Sequence, residues 1–175
     1  MGRPKLRTRE DILASALSLY WRKGPMGVTV QELEVATGVN KSGLYAEFKD
    51  KDSLFVATVK YYAEAAEKTF FPILKQTPYG KKNLREYLVF GLTFEGEGGC
   101  FLTNCMRDYP SLPSKARAIV KSHFSQLKEL FAQNLTDATK AELVLTFDQG
   151  LCLRAFMGDD SKDLLKLVDD FLTTV

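Results

Sequence analysis

The chain has 175 residues, 45% of them apolar and 26% charged, ordinary globular proportions that exclude a disordered segment, a collagen-like chain and a coiled-coil rod. A chain of this length buries roughly 70% of its unfolded surface, enough for one compact domain or a small domain joined to a larger one. The net charge of +2 conceals an asymmetry, because residues 1–60 carry ten Lys/Arg against seven Asp/Glu and the remainder fourteen against fifteen, so the positive excess sits at the front.

In chain order, Arg3, Lys5, Arg7 and Arg9 stand at every second position before the first acid, Glu10. This reads as a basic arm able to follow a phosphate backbone or enter a minor groove, or as a solvated terminus. Thr8 followed by Asp11 resembles a capping box, and Ile12, Leu13, Ala16, Leu17 and Tyr20 then recur at helical steps until Gly24. Thr29 and Glu32 repeat the capping pattern and open a short helix to about Thr37. Gly38 supplies a tight turn, Asn40 a cap, and a third short helix reaches about Phe48. Asp50 caps a long fourth helix to about Phe70. Beyond Pro72 and Pro78, a fifth helix covers about 81–94 and breaks at the glycine-rich 95–99. A short helix near Cys100 ends at Pro110 and Pro113, and helices follow over about 114–135, 137–157 and 161–174. No stretch alternates with period two between turn residues. The expectation is an all-α fold of about nine helices, divided into residues 6–66 and 67–175.

The second and third helices with the intervening glycine turn form a helix-turn-helix over about 29–48, a unit whose second helix enters the DNA major groove. Leu44 and Phe48 lie four apart and share a face that can pack on Leu33, Ala36 and the first helix. Ser42, Gly43, Tyr45 and Ala46 fall away from it. Gly43 and Ala46 are small enough for close approach to a groove, and Lys41, Ser42 and Tyr45 can donate to phosphates or bases. Thr29 at one helix start, and Lys49 and Lys51 before another, suit a phosphate clamp. An ordinary helical hairpin with solvated lysines would give the same pattern.

The runs Thr29-Val30-Gln31-Glu32-Leu33, Thr37-Gly38-Val39-Asn40-Lys41-Ser42-Gly43-Leu44-Tyr45-Ala46-Glu47-Phe48 and Lys49-Asp50-Lys51-Asp52-Ser53-Leu54-Phe55 resemble the TetR family of bacterial repressors, over about residues 6–66. The resemblance implies helical homodimers on palindromic operator DNA. It also implies that Gln31 and the Lys41–Ala46 stretch read the operator, and that Thr29, Tyr45 and Lys51 hold phosphates. Ala46 and Glu47 depart from the aromatic-His pair of many members. A carboxylate near DNA repels phosphate, so Glu47 must point away, pair with a lysine or accept from a cytosine amino group.

The resemblance further implies a ligand pocket in the second half. Tyr87, Phe90, Phe94 and Phe101, with Phe124, Leu127, Phe131 and Phe147, are the candidate lining, although aromatics at helical spacing also make plain core. Leu143, Phe147, Leu151, Leu164, Leu167, Val168 and Phe171 would form a dimer seam by the same resemblance, and burial within one protomer would give that pattern too. Cys100 stands at an expected helix start after two glycines, where the helix dipole can lower a thiol pKa and favour a reactive thiolate. It is a candidate redox sensor.

The three cysteines are odd in number and lack disulfide or zinc spacing, so reduced thiols are expected. Cys100, Cys105, Met106 and His123 have no recognised metal-site spacing, and no cofactor or metal is expected. One histidine, no Gly-x-Ser-x-Gly and no Lys-Ser/Thr after the glycine-rich stretch leave no catalytic constellation. No apolar run approaches the roughly 18 residues of a membrane span, and no signal-like block follows the basic start. The expected protein is cytoplasmic, not an enzyme and not membrane-bound. Its partners are double-stranded operator DNA, a second copy of itself and an unidentified small-molecule inducer.

Overall fold

The computed structural model describes residues 7–93 and 99–175, so Arg3, Lys5 and Phe94 lie outside the described residues. Within them the chain forms nine α-helices and no strand: α1 (Arg9–Gly27), α2 (Val30–Thr37), α3 (Lys41–Phe48), α4 (Lys51–Leu74), α5 (Lys81–Thr93), α6 (Phe101–Cys105), α7 (Ser114–Gln133), α8 (Ala141–Phe156) and α9 (Ser161–Leu172). Two short 3-10 turns cover Met106–Ser111 and Ala138–Lys140. The expected all-α class and helix order are found.

Side-chain caps start α1, α2, α3 and α4. A helix leaves its first N–H groups without backbone partners, and a short polar side chain supplies them. The Thr8 hydroxyl accepts from the Asp11 amide at 3.1 Å, while the Asp11 carboxylate accepts the Thr8 N–H at 3.0 Å. Thr29 and Glu32 repeat this reciprocal box at 3.3 and 2.8 Å. Asn40 accepts the Gly43 N–H at 2.8 Å, and Asp50 the Ser53 N–H at 2.7 Å. Gly38 closes α2 at φ +69°, its N–H donated to the Glu34 carbonyl at 2.9 Å. That left-handed backbone is cheap only without a Cβ. At Gly24, where the sequence suggests an end, φ of +71° kinks α1, which resumes through Pro25 to Gly27.

α4 is the axis of the molecule. It packs on α1 and α3 at one end and on α5 and α7 at the other. It runs unbroken through residues 66 and 67, so the two halves share one rigid helix. Its buried Phe55 sits edge-on to Tyr20 of α1, with ring centroids 5.0 Å apart, and its Phe71 stacks on His123 of α7 at 5.3 Å. In the second half α5 packs on α9 and α7 on α8. The turn between α4 and α5 is pinned by two buried amides. Asn134 donates to the Leu74 carbonyl at 2.7 Å and accepts from Asn83 at 2.9 Å, and Asn83 also donates to the Gln76 carbonyl at 2.7 Å.

Candidate nucleic-acid interface and body pocket

α3 has the two faces its spacing predicts. Leu44 and Phe48 are 1% and 5% exposed and join the core formed with Leu33, Ile12 and Ala16. Lys41, Ser42 and Ala46 are exposed, and Gly43 and Tyr45 are half-buried. Thr29, Gln31 and Lys49 are also exposed, as is Arg7 before α1. The structure therefore brings the exposed candidates together around the N-terminal ends of α2, α3 and α4.

Several of them do structural work beyond the roles implied by resemblance. The Lys51 ammonium donates to the Val28 carbonyl at 2.5 Å, locking the start of α4 beside the turn that precedes Thr29. A Cβ at Gly43 would lie 2.8 Å from Val39 Cγ1 and 3.3 Å from the capping oxygen of Asn40. The missing side chain at Gly43 thus makes room for the turn and its cap. Lys49 ends α3 at φ +72°, a strained backbone for a non-glycine residue. Lys41 holds its ammonium 5.6 Å from the centre of the Tyr45 ring, and its own N–H donates to Glu34 at 2.6 Å.

Glu47 is paired with Arg9 of α1, whose guanidinium lies 4.4 Å above the Phe48 ring. The carboxylate on α3 is thereby neutralised from α1, by an arginine rather than a lysine. Glu32 is similarly paired with Lys23, and with the Thr29 backbone bond this holds its carboxyl down at about 2.

A cavity opens in the body between α4, α5, α7 and α8. Tyr87, Phe124 and Leu127 line it as expected, together with Tyr62, Phe70, Phe71, His123, Cys100, Asp148 and Cys152. Phe90 instead packs on Phe70 with ring centroids 5.1 Å apart, and Phe131 is sealed in the core edge-on to Tyr87 at 5.3 Å. Phe101 lies between the cavity and α1, against Trp21, Phe55 and Tyr62. Phe147 is on the other side of α8, stacked flat on Phe171 of α9 at 3.8 Å.

Tyr62, Phe70, Phe71, His123, Cys100 and Cys152 are not among the expected lining residues, and neither is Asp148, the acidic one. Its signal is periodic: Val144, Leu145 and Leu151 are all buried on α8, so Asp148 occupies their apolar face. It is 7% exposed, and burial raises its carboxyl from 3.8 to about 7. His123 is 4% exposed, and burial lowers its imidazole from the ordinary value despite Glu67 at 3.5 Å. Cys100 is shifted opposite to the helix-dipole expectation, since burial pushes its thiol up, and it pushes Cys152 higher as well. A buried thiol of this kind is a poor nucleophile until something ionises it.

The dimer-seam candidates divide. Leu151, Leu164 and Val168 face the protomer's own core at 4%, 1% and 0% exposure, and cannot form a contact surface. Leu143, Phe147, Leu167 and Phe171 remain on the outer side of α8 and α9, and Leu153 and Met157 extend that apolar strip. Among the described residues no helix is long and apolar enough to cross a membrane.

Residues 12–58 match the family described as "Bacterial regulatory proteins, tetR family". Over 63 residues the chain is 38% identical to the HTH-type transcriptional repressor ComR of Escherichia coli, a stretch that is 36% of this chain and 30% of ComR. It is 34% identical over 59 residues to the HTH-type transcriptional repressor AcnR of Corynebacterium glutamicum, covering 34% of this chain and 31% of AcnR. The matches thus span under a third of those relatives' lengths. The whole fold is similar to that of a cysteine mutant of the TetR family regulator CifR complexed with 26bp double-strand operator DNA, with a TM-score of 0.84 at 19% identity over 98% of both chains. A TetR family regulator from Agrobacterium tumefaciens gives a TM-score of 0.84 at 19% identity over 95% of this chain and 96% of its own.

Proposed function

We propose that this chain, whose residues 12–58 match the tetR family of bacterial regulatory proteins, acts as a homodimeric transcriptional repressor of that family. The observation that carries this reading is the two-faced α3: Leu44 and Phe48 anchor it, Lys41, Ser42 and Ala46 are exposed, and Tyr45 is half-buried at their edge. Gln31 and the Lys41–Ala46 stretch read bases, while Arg7, Thr29, Lys49 and Lys51 hold the backbone and the arm carrying Arg3 and Lys5 adds sequence-independent attraction. Two copies associate through the outer strip of α8 and α9. Gly150 on that strip has nothing within contact of an added Cβ, which leaves room for a facing helix. The two recognition helices then meet half-sites about 34 Å apart, or a multiple of it, on a palindromic operator. A small molecule in the body cavity favours the arrangement that cannot bind DNA. The protein so described is cytoplasmic and not an enzyme.

The test is a titration of the full chain against the DNA upstream of its own gene at several salt concentrations. Sequence-selective binding with a steep salt slope is expected. Binding that distinguishes neither sequence nor salt would remove the repressor reading.

A further inference from the structure

The cavity between α4, α5, α7 and α8 is lined by five aromatic rings and, among the described residues, by one acidic group, Asp148. Tyr62, Phe70, Phe71, Tyr87 and Phe124 supply the rings. Asp148 projects among them at 7% exposure, and none of the described residues donates it a hydrogen bond or forms an ion pair with it. Among the described residues no Lys or Arg lines the cavity, and the other titratable groups that line it are the phenols of Tyr62 and Tyr87, the thiols of Cys100 and Cys152, and His123. The imidazole is held neutral by burial and occupied by Glu67 on its outer side.

A carboxylate removed from water without a partner is costly, and proteins keep such groups where a ligand or partner completes them. The aromatic faces add their own preference, since the negative face of each ring attracts a cation, and the attraction strengthens when water is excluded. An anion would meet repulsion from Asp148, and a neutral apolar molecule would leave the carboxylate uncompensated. The free volume of about 40 Å³ takes a compact charged head and little more.

Resting on the reading of the body as a ligand sensor, we propose that this cavity binds an organic cation, a protonated or alkylated amine whose head pairs with Asp148 inside the aromatic walls. The apolar remainder of the ligand then lies against the aromatic rings and Leu127. Asp148 is thus the specificity-determining residue of the body.

Calorimetric titration of the full chain without DNA, at about pH 8, with benzylammonium, benzyl alcohol and benzoate tests this, because the three share a ring and differ in charge. Benzylammonium is expected to bind at least ~10-fold tighter than benzyl alcohol, and benzoate not to bind. Asp148→Asn is expected to bring benzylammonium down to the level of benzyl alcohol, and Asp148→Glu to keep the preference for the cation. Equal affinity for the amine and the alcohol in the unmodified protein, no binding of the amine, or an unchanged preference in Asp148→Asn would each overturn the proposal. The first two comparisons need no variant and so decide the matter even if a substitution prevents folding. Operator binding is measured separately: a chain that binds the amine through Asp148 yet ignores its operator keeps this site and loses the repressor reading, and the converse outcome does the reverse.

Discussion

Arg9 of α1 is paired with Glu47 of α3, two residues 38 positions apart, and the guanidinium that makes this pair also covers the Phe48 ring. α3 is therefore tied to α1 through its charged edge as well as its buried Leu44 and Phe48. Both side chains are nearly half exposed, at 47% and 44%, so solvent and salt screen the pair and it contributes under about 1 kcal/mol to stability. Glu47→Gln should leave the thermal midpoint almost unchanged. It should tighten DNA binding several-fold and steepen the salt dependence, because it removes a negative charge and frees Arg9. Weaker binding in Glu47→Gln, by fluorescence anisotropy, would mean that the carboxylate itself reads a base.

Lys51 differs from Lys41 in what its charge does inside the protein. Its ammonium holds the Val28 carbonyl at 2.5 Å, whereas Lys41 lies exposed beside Tyr45. Lys51→Met should cost about 1–3 kcal/mol of stability, the worth of a charge-assisted hydrogen bond in a partly buried place, and should also weaken DNA binding. Lys41→Ala should weaken binding and reduce the salt slope by about one while leaving stability unchanged. Paired thermal melts and salt titrations separate the two. A Lys51→Met protein as stable as the parent would show that the bond to Val28 contributes nothing.

The Asn83 and Asn134 amides carry a third expectation. Asn134 is 2% exposed and bridges the ends of α4, α5 and α7. Its removal strands the Leu74 carbonyl and an amide hydrogen of Asn83 in the interior, each at about 1–3 kcal/mol. Asn134→Ala should therefore lower stability by several kcal/mol in urea melts without altering the residues of the DNA-binding surface. A loss below about 1 kcal/mol would indicate that water enters and replaces the bonds.

The buried carboxylate of Asp148 makes stability depend on pH in a direction opposite to that of a salt-bridged acid. Its folded-state value of about 7 lies above the ordinary 3.8, so between those values the folded chain holds a proton that the unfolded chain has released. Stability therefore falls as pH rises from about 4 to about 7 and levels off above, by about 4 kcal/mol in all. His123, whose value is lowered by burial, acts in the other sense below its ordinary 6.5. The measurement is thus the difference between the parent and Asp148→Asn. The variant should be more stable at pH 8, and its advantage should shrink as pH falls toward 4. A constant difference across that range would show that Asp148 does not titrate as a buried acid.

Much of the N-terminal half was legible because its determinants are local. The Thr8, Thr29, Asn40 and Asp50 caps reach only two or three residues along the chain, and Gly38 terminates α2 by its own backbone freedom. Leu44 and Phe48 sort to one face through helical periodicity alone. The body was less legible because periodicity marks which positions turn inward without saying what they meet there. Phe124, Phe131 and Phe147 look alike in sequence, yet one lines the cavity, one is sealed behind it and one stacks on Phe171 outside. The seam candidates split for the same reason, since a helix with apolar residues on two sides can bury either in its own protomer.

The sequence by itself determined an all-α chain, the starts of α1 to α4, and a helix-turn-helix with a packed and an exposed face, because caps, turns and the 3.6-residue period act over a few residues. The start of α8 it placed near 137, where a 3-10 turn precedes the helix at Ala141. Tertiary structure alone decided that Arg9 neutralises Glu47, that Lys51 is bonded to Val28, and that Asp148 stands uncompensated among aromatic rings. Those relationships depend on distances between segments far apart in the chain, and on exclusion of water from the space between them, which no local pattern encodes.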